Sequence, residues 1–219
     1  TPNNGQFFTP IFDKEATHTI GDMAMDWNTG SLWVGTGEVN SSRSSYAGTG
    51  VYKTIDTGKT WQHLGLEESH HIGRIVLHPS NPSIAWVAVL GHLYTKNKER
   101  GVYKTLDGGK SWQQTLFIND STGCVDLCID PQSSEILYAS IWERTRVAWN
   151  FNGSGEASAV YKSTNGGETW INSTKKESGF PTGHGVGRIG ISICKNNPSV
   201  LYALLDNQFN QEEEKNKEK

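Results

Sequence analysis

VYKTLDGGKSW, residues 102–112, is the stretch on which the fold depends, because two close copies of it stand elsewhere in the chain. The copies are VYKTIDTGKTW at 51–61 and VYKSTNGGETW at 160–170. All three contain the pattern Ser/Thr-x-Asp/Asn-x-Gly-x-Ser/Thr-Trp. A degenerate copy at the start of the chain has Thr1, Asn3, Gly5, Phe7 and Phe8 in the same register. The chain is therefore predicted to be a repeat protein.

Each fixed position of the pattern has a use in a tight hairpin turn. The Asp or Asn side chain accepts backbone N–H bonds across the turn and binds the later Ser or Thr hydroxyl. The Gly supplies a positive φ, and the Trp begins the next strand as a large apolar anchor. The predicted structural residues are Asp56, Gly58 and Trp61, then Asp107, Gly109 and Trp112, then Asn165, Gly167 and Trp170.

This motif resembles the Asp-box, or BNR repeat, of sialidases, oligoxyloglucan hydrolases and the luminal domain of sortilin-type receptors. The segments LGHLYTKNKERGVYKT (90–105) and TGCVDLCIDPQSSEILYASIWE (122–143) look like those of secreted bacterial proteins labelled "glycosyl hydrolase" or "sortilin-like". The resemblance extends from residue 1 to about residue 206 and implies a β-propeller. It is specific for the scaffold, since Asp-boxes serve the fold, and much less specific for an activity. It also implies a secreted, periplasmic or cell-surface protein.

A second repeated block precedes each motif and gives the period of the repeat. Its copies start at residues 20, 72, 124 and 186, as in IGRIVLHPSNPSIAWVAVLG at 72–91. A period near 50 residues with four short strands per unit is typical of a propeller blade. Strands A and B come from this block, strand C ends in the turn motif, and strand D leaves from its Trp. The predicted fold class is therefore all-β, a β-propeller segment of four-stranded antiparallel blades.

The predicted domain is a partial propeller over residues 1–206. Three complete blades are expected at about 20–66, 72–117 and 124–173. A lone D strand (Phe8 to Ile11, in the partial blade 1–12) precedes them, and an A and B pair at 186–206 follows. The charged segment 207–219 is predicted to be a disordered tail or an inserted loop. Because open sheet edges invite pairing, the remainder of a longer propeller chain is the expected partner, with closure by another chain as the alternative.

Composition excludes several functional classes. A net charge of −3 gives no reason to expect nucleic-acid binding. No apolar run approaches the roughly 18 residues that would predict a transmembrane segment. The three cysteines are predicted to be free thiols, because Cys124 and Cys128 stand too far apart on one strand to bridge. No cofactor and no metal site are predicted.

Three long loops lie opposite the turn motifs in a propeller, and we expect any ligand there. These B–C loops cover residues 37–50, 91–101 and 143–158. His18, His70 and His184 each stand two residues before an A strand, so they are expected to converge on the mouth of the channel. They are candidate ligand contacts, with a metal ring and simple capping of strand ends as the alternatives.

Charged residues alternate at the third position of the A strands, in the order Asp22, Arg74, Asp126 and Arg188. Pairing from blade to blade is the favoured interpretation, because it would satisfy charges around the axis. The alternative is an anion site that includes Arg74 and Arg188, which are therefore also candidate ligand-binding residues. The three arginines and Tyr nucleophile of sialidases cannot be matched to this sequence.

Acidic and aromatic residues in the long loops are the remaining candidates. A glycosidase needs two carboxyl groups on one cleft, and Glu38 and Glu143 stand at corresponding ends of B strands. The opposing interpretation is that both are solvated or paired with Arg43, Arg144 or Arg146. Trp149 is the candidate aromatic contact for a ligand. The sequence favours a non-catalytic propeller that binds a glycan, peptide or protein, with a polysaccharide-active glycoside hydrolase as the alternative.

Overall fold

The computed structural model describes residues 1–208, and these form three four-stranded sheets and two hairpins. The first sheet contains β1 (Ile20–Asp26), β2 (Ser31–Thr36), β3 (Val51–Thr54) and β4 (Gln62–His63). The second contains β5 (Ile72–Leu77), β6 (Ala85–Val89), β7 (Gly101–Thr105) and β8 (Gln113–Leu116). The third contains β9 (Thr122–Asp130), β10 (Ser133–Glu143), β13 (Ala159–Ser163) and β14 (Ile171–Asn172).

Each of the two hairpins is a pair of antiparallel strands. One, made by β11 (Thr145–Val147) and β12 (Asn150–Asn152), lies inside the loop after β10. The other, made by β15 (Val186–Ile193) and β16 (Leu201–Asn207), follows the third sheet. Short 3₁₀ turns at Glu67–Ser69 and Lys176–Ser178 are the helical elements among the described residues. None of the helices in this part of the chain is long and apolar enough to cross a membrane.

The sheets are the blades of a β-propeller, so the predicted fold class is confirmed. All neighbouring strands within a sheet pair antiparallel, and the first strand of each sheet lies beside the first strand of the next. Apolar side chains fill the space between sheets. Trp33 and Trp86 on the second strands are 1% exposed and belong to the cores between consecutive sheets. The cores therefore form between blades, as stacked sheets require.

The repeated turn has one hydrogen-bond pattern at every copy. In the second sheet Thr105 Oγ1 donates to Asp107 Oδ1 at 2.8 Å and accepts from Gly109 N at 2.9 Å. Ser111 N also donates to Asp107 Oδ1 at 2.9 Å. The same three bonds recur at Thr54, Ser163 and Thr1. The degenerate first copy thus folds like the others, because its Thr, Asn and Gly supply the bonds.

These turns also fasten each blade to the one before it. The indole Nε1 of Trp112 donates to the carbonyl of Leu64 at 2.8 Å, and Trp86 Nε1 donates to the carbonyl of Gly166 at 2.9 Å. A Cβ at Gly109 would lie 2.5 Å from Leu64 Cδ1, and one at Gly167 would lie 2.6 Å from Trp86 Nε1. The Gly of the motif is therefore required by close packing between blades as well as by its positive φ.

The prediction of a D strand at Phe8 to Ile11 is wrong. This segment has no strand assignment, because no preceding strand among the described residues offers it a backbone ladder. It packs by side chains and one backbone group instead. Ile11 accepts a hydrogen bond from Trp61 Nε1 at 2.6 Å, and the Phe12 ring lies edge-on to Trp61 with centroids 4.9 Å apart.

Two further predictions concern the end of the chain and the cysteines. Asn207 is the last residue of β16, and Gln208 bonds to Gly185, so the ordered part continues past the predicted boundary at 207. The rest of the predicted tail, 209–219, lies outside the described residues. Cys124, Cys128 and Cys194 are all free thiols. Burial raises the pKa of Cys128 to about 12, so its thiol is inert at neutral pH.

Candidate ligand-binding site

The three long loops meet on one side of the propeller, which we call the loop face. The Tyr94 hydroxyl donates to the Arg43 carbonyl at 2.6 Å, which joins loops 91–101 and 37–50. Arg146 Nε donates to the Ser41 carbonyl at 2.8 Å, which joins 143–158 to 37–50. The loops therefore form one continuous surface on the side opposite the repeated turns.

Two adjoining cavities open on the loop face and share Leu93, Tyr94 and Thr95 as a common wall. The arginine recess, of about 190 Å³, is lined on its other sides by Lys96, Arg100, Ser121, Arg144 and Arg146. The histidine recess, of about 240 Å³, is lined by Ser45, Ala47, His70, His71 and His92. Arginine side chains stand among apolar walls in the first recess, and imidazole rings in the second. Together they form the candidate binding site.

A larger cavity of about 490 Å³ lies at the other side of the molecule, between the repeated turns of the first two sheets. Its walls include Thr60 and Asp107. Both side chains are already bonded within their own turns, Thr60 to Asp56 and Asp107 to Ser111. Those bonds lower the pKa of Asp56 to about 2, which keeps the turn carboxylate charged and engaged. The Thr60 and Asp107 side chains of this cavity therefore serve the turns of the scaffold.

Arg100 holds the loop that separates the two recesses. Its side chain is 2% exposed, and its Nη atoms donate to the carbonyls of Leu90 at 2.6 Å, His92 at 2.7 Å and Thr95 at 3.0 Å. Burial lowers the pKa of this guanidinium to about 10, which still leaves it charged at neutral pH. Arg100 thus fixes the backbone of residues 91–101 and places a positive charge beneath them.

Arg144 is almost as buried, but it has far fewer partners. Its side chain is 3% exposed, and its one hydrogen bond to a described residue runs from Nη1 to the His92 carbonyl at 3.4 Å. Its Nε has no partner there, and the guanidinium lies over the Trp142 ring at 5.6 Å. Burial, and then the charges of Arg100, Arg188 and Arg146, lower the Arg144 pKa to about 9. The Arg144 guanidinium is therefore buried with one long hydrogen bond and one ring contact.

The histidine recess contains a compact group of three possible metal ligands. The rings of His70 and His92 stack with centroids 3.7 Å apart, and His92 Nε2 lies 3.1 Å from Glu68 Oε2. One ligand atom from each of these three residues lies within 4.8 Å of the others. Burial is the main cause that lowers the His70 pKa, and the nearby charges of His92 and Arg100 lower it further. The group is therefore a stacked imidazole pair beside one carboxylate.

The three predicted histidines do not share one set of contacts. His70 stacks on His92, whereas His18 lies edge-on to Tyr46 at 5.1 Å. His184 pairs with Glu156, with Nε2 and Oε1 2.9 Å apart. Within residues 1–208 no hydrogen bond, ion pair or ring contact joins any two of these three, and their convergence on the mouth of the channel stays a prediction. Each ring instead contacts a residue of a neighbouring loop. Their role in ligand binding stays a prediction.

The charged residues of the A strands do pair between blades. Arg74 Nε donates to Asp126 Oδ1 at 2.9 Å, and its Nη1 lies 3.5 Å from Asp22 Oδ1. The carboxylates also cap the next blade, since Asp22 Oδ2 accepts from Ile75 N at 2.7 Å. Asp126 Oδ2 accepts from Ile191 N at 3.1 Å. Arg74 therefore serves to connect the blades through its two carboxylate partners.

Arg188 departs from the pairing pattern. Its Nη1 donates to the Val39 carbonyl at 3.2 Å, and its guanidinium lies over Trp142 at 5.6 Å. Among the described residues it has no carboxylate partner within 4.0 Å. Trp142 therefore lies within cation–π distance of both Arg188 and Arg144, below the arginine recess.

The two candidate catalytic acids have different surroundings. Glu143 Oε2 accepts a hydrogen bond from Ala157 N at 2.9 Å, and its carboxylate packs against Gly155, where no Cβ would fit. Glu38 is half-buried and its backbone bonds to Tyr46. Neither acid pairs with Arg43, Arg144 or Arg146 in the described part of the chain, so that half of the alternative is not observed. Glu143 braces the loop that precedes β13.

Trp149 lies at the tip of the β11–β12 hairpin and is 87% exposed. The predicted B–C loop 143–158 contains this hairpin, and the alternation in TRVAWNFN, residues 145–152, is the strand signal for it. Arg100 is not among the predicted site residues, and Arg144 is among them only as a possible partner for the acids. A sequence signal for the site was present, because Arg144 and Arg146 are two residues apart just after a predicted strand, and residues at this spacing share one face of an extended chain.

No family model matches the chain, and no curated protein matches it either. Solved structures are similar in fold. An ancestral GH74 enzyme superposes with a TM-score of 0.61 at 17% identity, over 84% of this chain and 21% of that one. The Niastella koreensis GH74 enzyme gives 0.54 at 17% identity, over 87% of this chain and 26% of that one. The Xanthomonas campestris GH74 xyloglucanase gives 0.56 at 17% identity, over 85% and 26%.

The chain thus spans about a fifth to a quarter of the length of these structures. Identity this low leaves substrates and catalytic residues without support, because one fold hosts many functions. What the likeness establishes is the architecture: the described residues are part of a β-propeller.

Proposed function

We propose that this chain is part of a secreted or cell-surface β-propeller that binds a glycan, peptide or protein ligand on its loop face. The observation that carries the proposal is the pair of adjoining recesses, walled by Tyr94 and by arginine and histidine side chains. A concave site with convergent polar groups on rigid strands is the usual form of a binding site. The resemblance of the turn motif to Asp-box proteins supports a scaffold role for the opposite side.

The loops are fixed before any ligand arrives, which favours specific binding. Arg100 ties down one loop through three carbonyl groups, and Arg146 and Tyr94 link neighbouring loops. Preorganised groups lose less conformational entropy on binding than mobile ones. The ligand is therefore expected to meet a rigid surface whose exposed aromatic group is Trp149.

A binding screen tests this proposal. The 219-residue chain would be immobilised and exposed to arrays of neutral glycans, acidic glycans and peptides. Hits would be confirmed by isothermal titration calorimetry. We expect at least one class to bind, with affinity lost in Tyr94→Ala and retained in Tyr202→Ala, an exposed tyrosine on β16. Binding that is insensitive to Tyr94 but lost in Tyr202→Ala would place the site elsewhere and reject the loop face.

The second candidate function is a polysaccharide-active glycoside hydrolase. It is favoured by the fold likeness to enzymes that include a GH74 xyloglucanase, and by Glu38 and Glu143 at corresponding strand ends. Against it, the Glu143 carboxylate is engaged by Ala157 N and Gly155. Release of reducing ends from polysaccharides, lost in both Glu38→Gln and Glu143→Gln, would establish the hydrolase. Release unaffected by either substitution would exclude these two residues as its catalytic acids.

A further inference from the structure

The arginine recess contains more positive charge than its surroundings balance. Within residues 1–208, Arg100, Arg144, Arg146 and Arg188 have no carboxylate within ion-pair distance. Asp120 is the acid whose charge acts on Arg100. Its Oδ1 already pairs with Lys96 Nζ, 3.4 Å away, on the rim of the recess. Within the described residues, three guanidinium groups therefore line one cavity with no carboxylate at ion-pair distance, and Arg188 lies beside Arg144 on the Trp142 ring.

Such an arrangement is costly unless something neutralises it. A buried charge that lacks a partner is strongly disfavoured, and like charges nearby increase that cost. At Arg144 both effects are present, since the group is 3% exposed and its pKa is lowered by burial and by the three other arginines. An anion in the recess would reverse both, because it supplies an acceptor and an opposite charge.

We propose that the arginine recess binds the oxyanion of an acidic glycan, a uronate carboxylate or a sulfate ester, through Arg144 and Arg146. This inference rests on the proposed binding function and names its ligand class. Arg144 makes one side-chain hydrogen bond to a described residue, from Nη1 to the His92 carbonyl at 3.4 Å. Arg146 uses Nε for Ser41, which leaves its two Nη atoms unbonded to described residues. Guanidinium groups bind carboxylate and sulfate oxygens by paired N–H bonds.

The size and walls of the recess favour a charged group on a larger ligand. Its volume of about 190 Å³ is below the roughly 300 Å³ of pockets that enclose whole ligands. Tyr94 on the wall is 47% exposed, and Trp149 on the hairpin that carries Arg146 is 87% exposed. Flat aromatic rings beside a cationic recess suit sugar rings that carry an acid group, since each ring has an apolar face and a polar edge.

A metal ion in the neighbouring histidine recess is the competing interpretation of this region. The ligand atoms of Glu68, His70 and His92 are close enough for one. However, Glu68 is exposed, and the Arg100 guanidinium donates to the His92 carbonyl at 2.7 Å, so a fixed positive charge lies beside these ligands. Such a charge repels a divalent cation and attracts an anion. The charge balance therefore favours the oxyanion.

The test compares matched ligands and matched variants. Calorimetry would measure the whole chain with three hexasaccharides: one of uronic acid units, one sulfated and one neutral. Arg146→Gln is the main variant, because Arg146 is half-buried and its loss leaves no deep cavity. Arg144→Lys keeps the positive charge and removes the paired N–H donors of the guanidinium. Arg43→Gln is the control, since it removes an exposed arginine from the same face.

We expect an acidic hexasaccharide to bind about tenfold or more tightly than the neutral one, and Arg146→Gln to lose about tenfold, since a charge-assisted hydrogen bond is removed. Arg144→Lys should lose a similar factor, and Arg43→Gln less than about twofold. Equal affinity for acidic and neutral sugars, or equal losses in Arg146→Gln and Arg43→Gln, would overturn the assignment. Tighter binding of Zn²⁺ or of a phosphopeptide than of either acidic sugar would also overturn it.

A separate experiment distinguishes failure of the proposed ligand-binding function from failure of the oxyanion site. Sodium sulfate and sodium acetate, matched with sodium chloride for ionic strength, would be tested by thermal unfolding of the wild type and Arg146→Gln. Stabilisation that requires Arg146 without binding of any glycan, peptide or protein would support an oxyanion site and reject the ligand-binding function. Binding of a neutral glycan unaffected by Arg146→Gln would support that function and reject the oxyanion site.

Discussion

Arg74 on the second blade donates to Asp126 on the third, with Nε and Oδ1 2.9 Å apart, and reaches Asp22 on the first with its Nη1. One guanidinium thus connects three consecutive inner strands. Both carboxylates also accept backbone N–H bonds from the following blade, at Ile75 and Ile191. The angular spacing of the blades is therefore fixed by side-chain charges as well as by apolar packing.

The first prediction concerns this network. Arg74→Gln should lower the free energy of unfolding by about 1–3 kcal/mol, because two largely buried carboxylates lose their counter-charge while Arg74 itself is partly solvated. Urea denaturation at pH 7 measures the change. Lys59→Gln, at an exposed position in the first repeated turn, is the matched loss of one positive charge. Equal effects of the two substitutions would show that the network contributes nothing to stability.

The second prediction separates packing between blades from backbone strain. Gly109 and Gly30 both have positive φ, +95° and +72°, but a Cβ at Gly30 would meet nothing within 4 Å. Gly30→Ala should therefore cost about 1–2 kcal/mol for the backbone alone. Gly109→Ala should cost about 1–3 kcal/mol more, because its Cβ would press on Leu64. Thermal or urea unfolding of the two variants gives the difference, and a difference near zero would mean that the blades adjust freely.

The third prediction concerns pH. Burial is the main cause that lowers the His71 pKa to about 4, and the charge of Arg144 lowers it further. The unfolded chain binds this proton near pH 6.5, so stability is complete above that pH and falls as pH decreases toward 4. Between pH 7 and pH 5 the expected loss from this group is about 2 kcal/mol. Urea denaturation at both pH values measures it.

His71→Gln is the variant that isolates this group, since Gln does not titrate. Its loss of stability between pH 7 and pH 5 should be smaller than that of the wild type. His184→Gln, at an exposed ring, is the control and should keep the wild-type pH dependence. If His71→Gln and the wild type lose the same amount, His71 is not protonated on unfolding in this range.

Much of the fold was predictable from the sequence because the motif repeats with all its bonding groups. Thr105, Asp107, Gly109 and Ser111 form the predicted turn, and even the degenerate first copy keeps the Thr, Asn and Gly that make it. The site was less predictable. Arg100 and Arg144 are candidates because they are buried and have no ion-pair partner in the described residues. Both properties depend on how loops that are far apart in sequence pack together.

The histidines differ from the turn motif in this respect. His18, His70 and His184 occupy equivalent positions in sequence, but they make different contacts. Side chains at strand ends, however, follow the local loop: His18 meets Tyr46, His70 meets His92, and His184 meets Glu156. Periodicity predicts backbone positions, whereas loop residues that do not repeat decide the contacts.

The fourth prediction tests the exposed aromatic group of the loop face. Trp149 is 87% exposed on the β11–β12 hairpin, and Trp27 is 86% exposed after β1, on the side of the repeated turns. Because neither indole is buried in the scaffold, Trp149→Ala and Trp27→Ala should each change the free energy of unfolding by less than about 0.5 kcal/mol. Their effects on binding should differ.

Calorimetry with the acidic hexasaccharide that binds most tightly measures this difference. Trp149→Ala should weaken binding by about tenfold, since a stacked aromatic contact contributes about 1 kcal/mol or more. Trp27→Ala should leave the affinity unchanged, because it lies on the opposite side. Quenching of Trp fluorescence by the sugar should be smaller in Trp149→Ala than in the wild type. Equal binding by both variants would remove the hairpin from the site, and weaker binding by Trp27→Ala alone would move the site to the turn side.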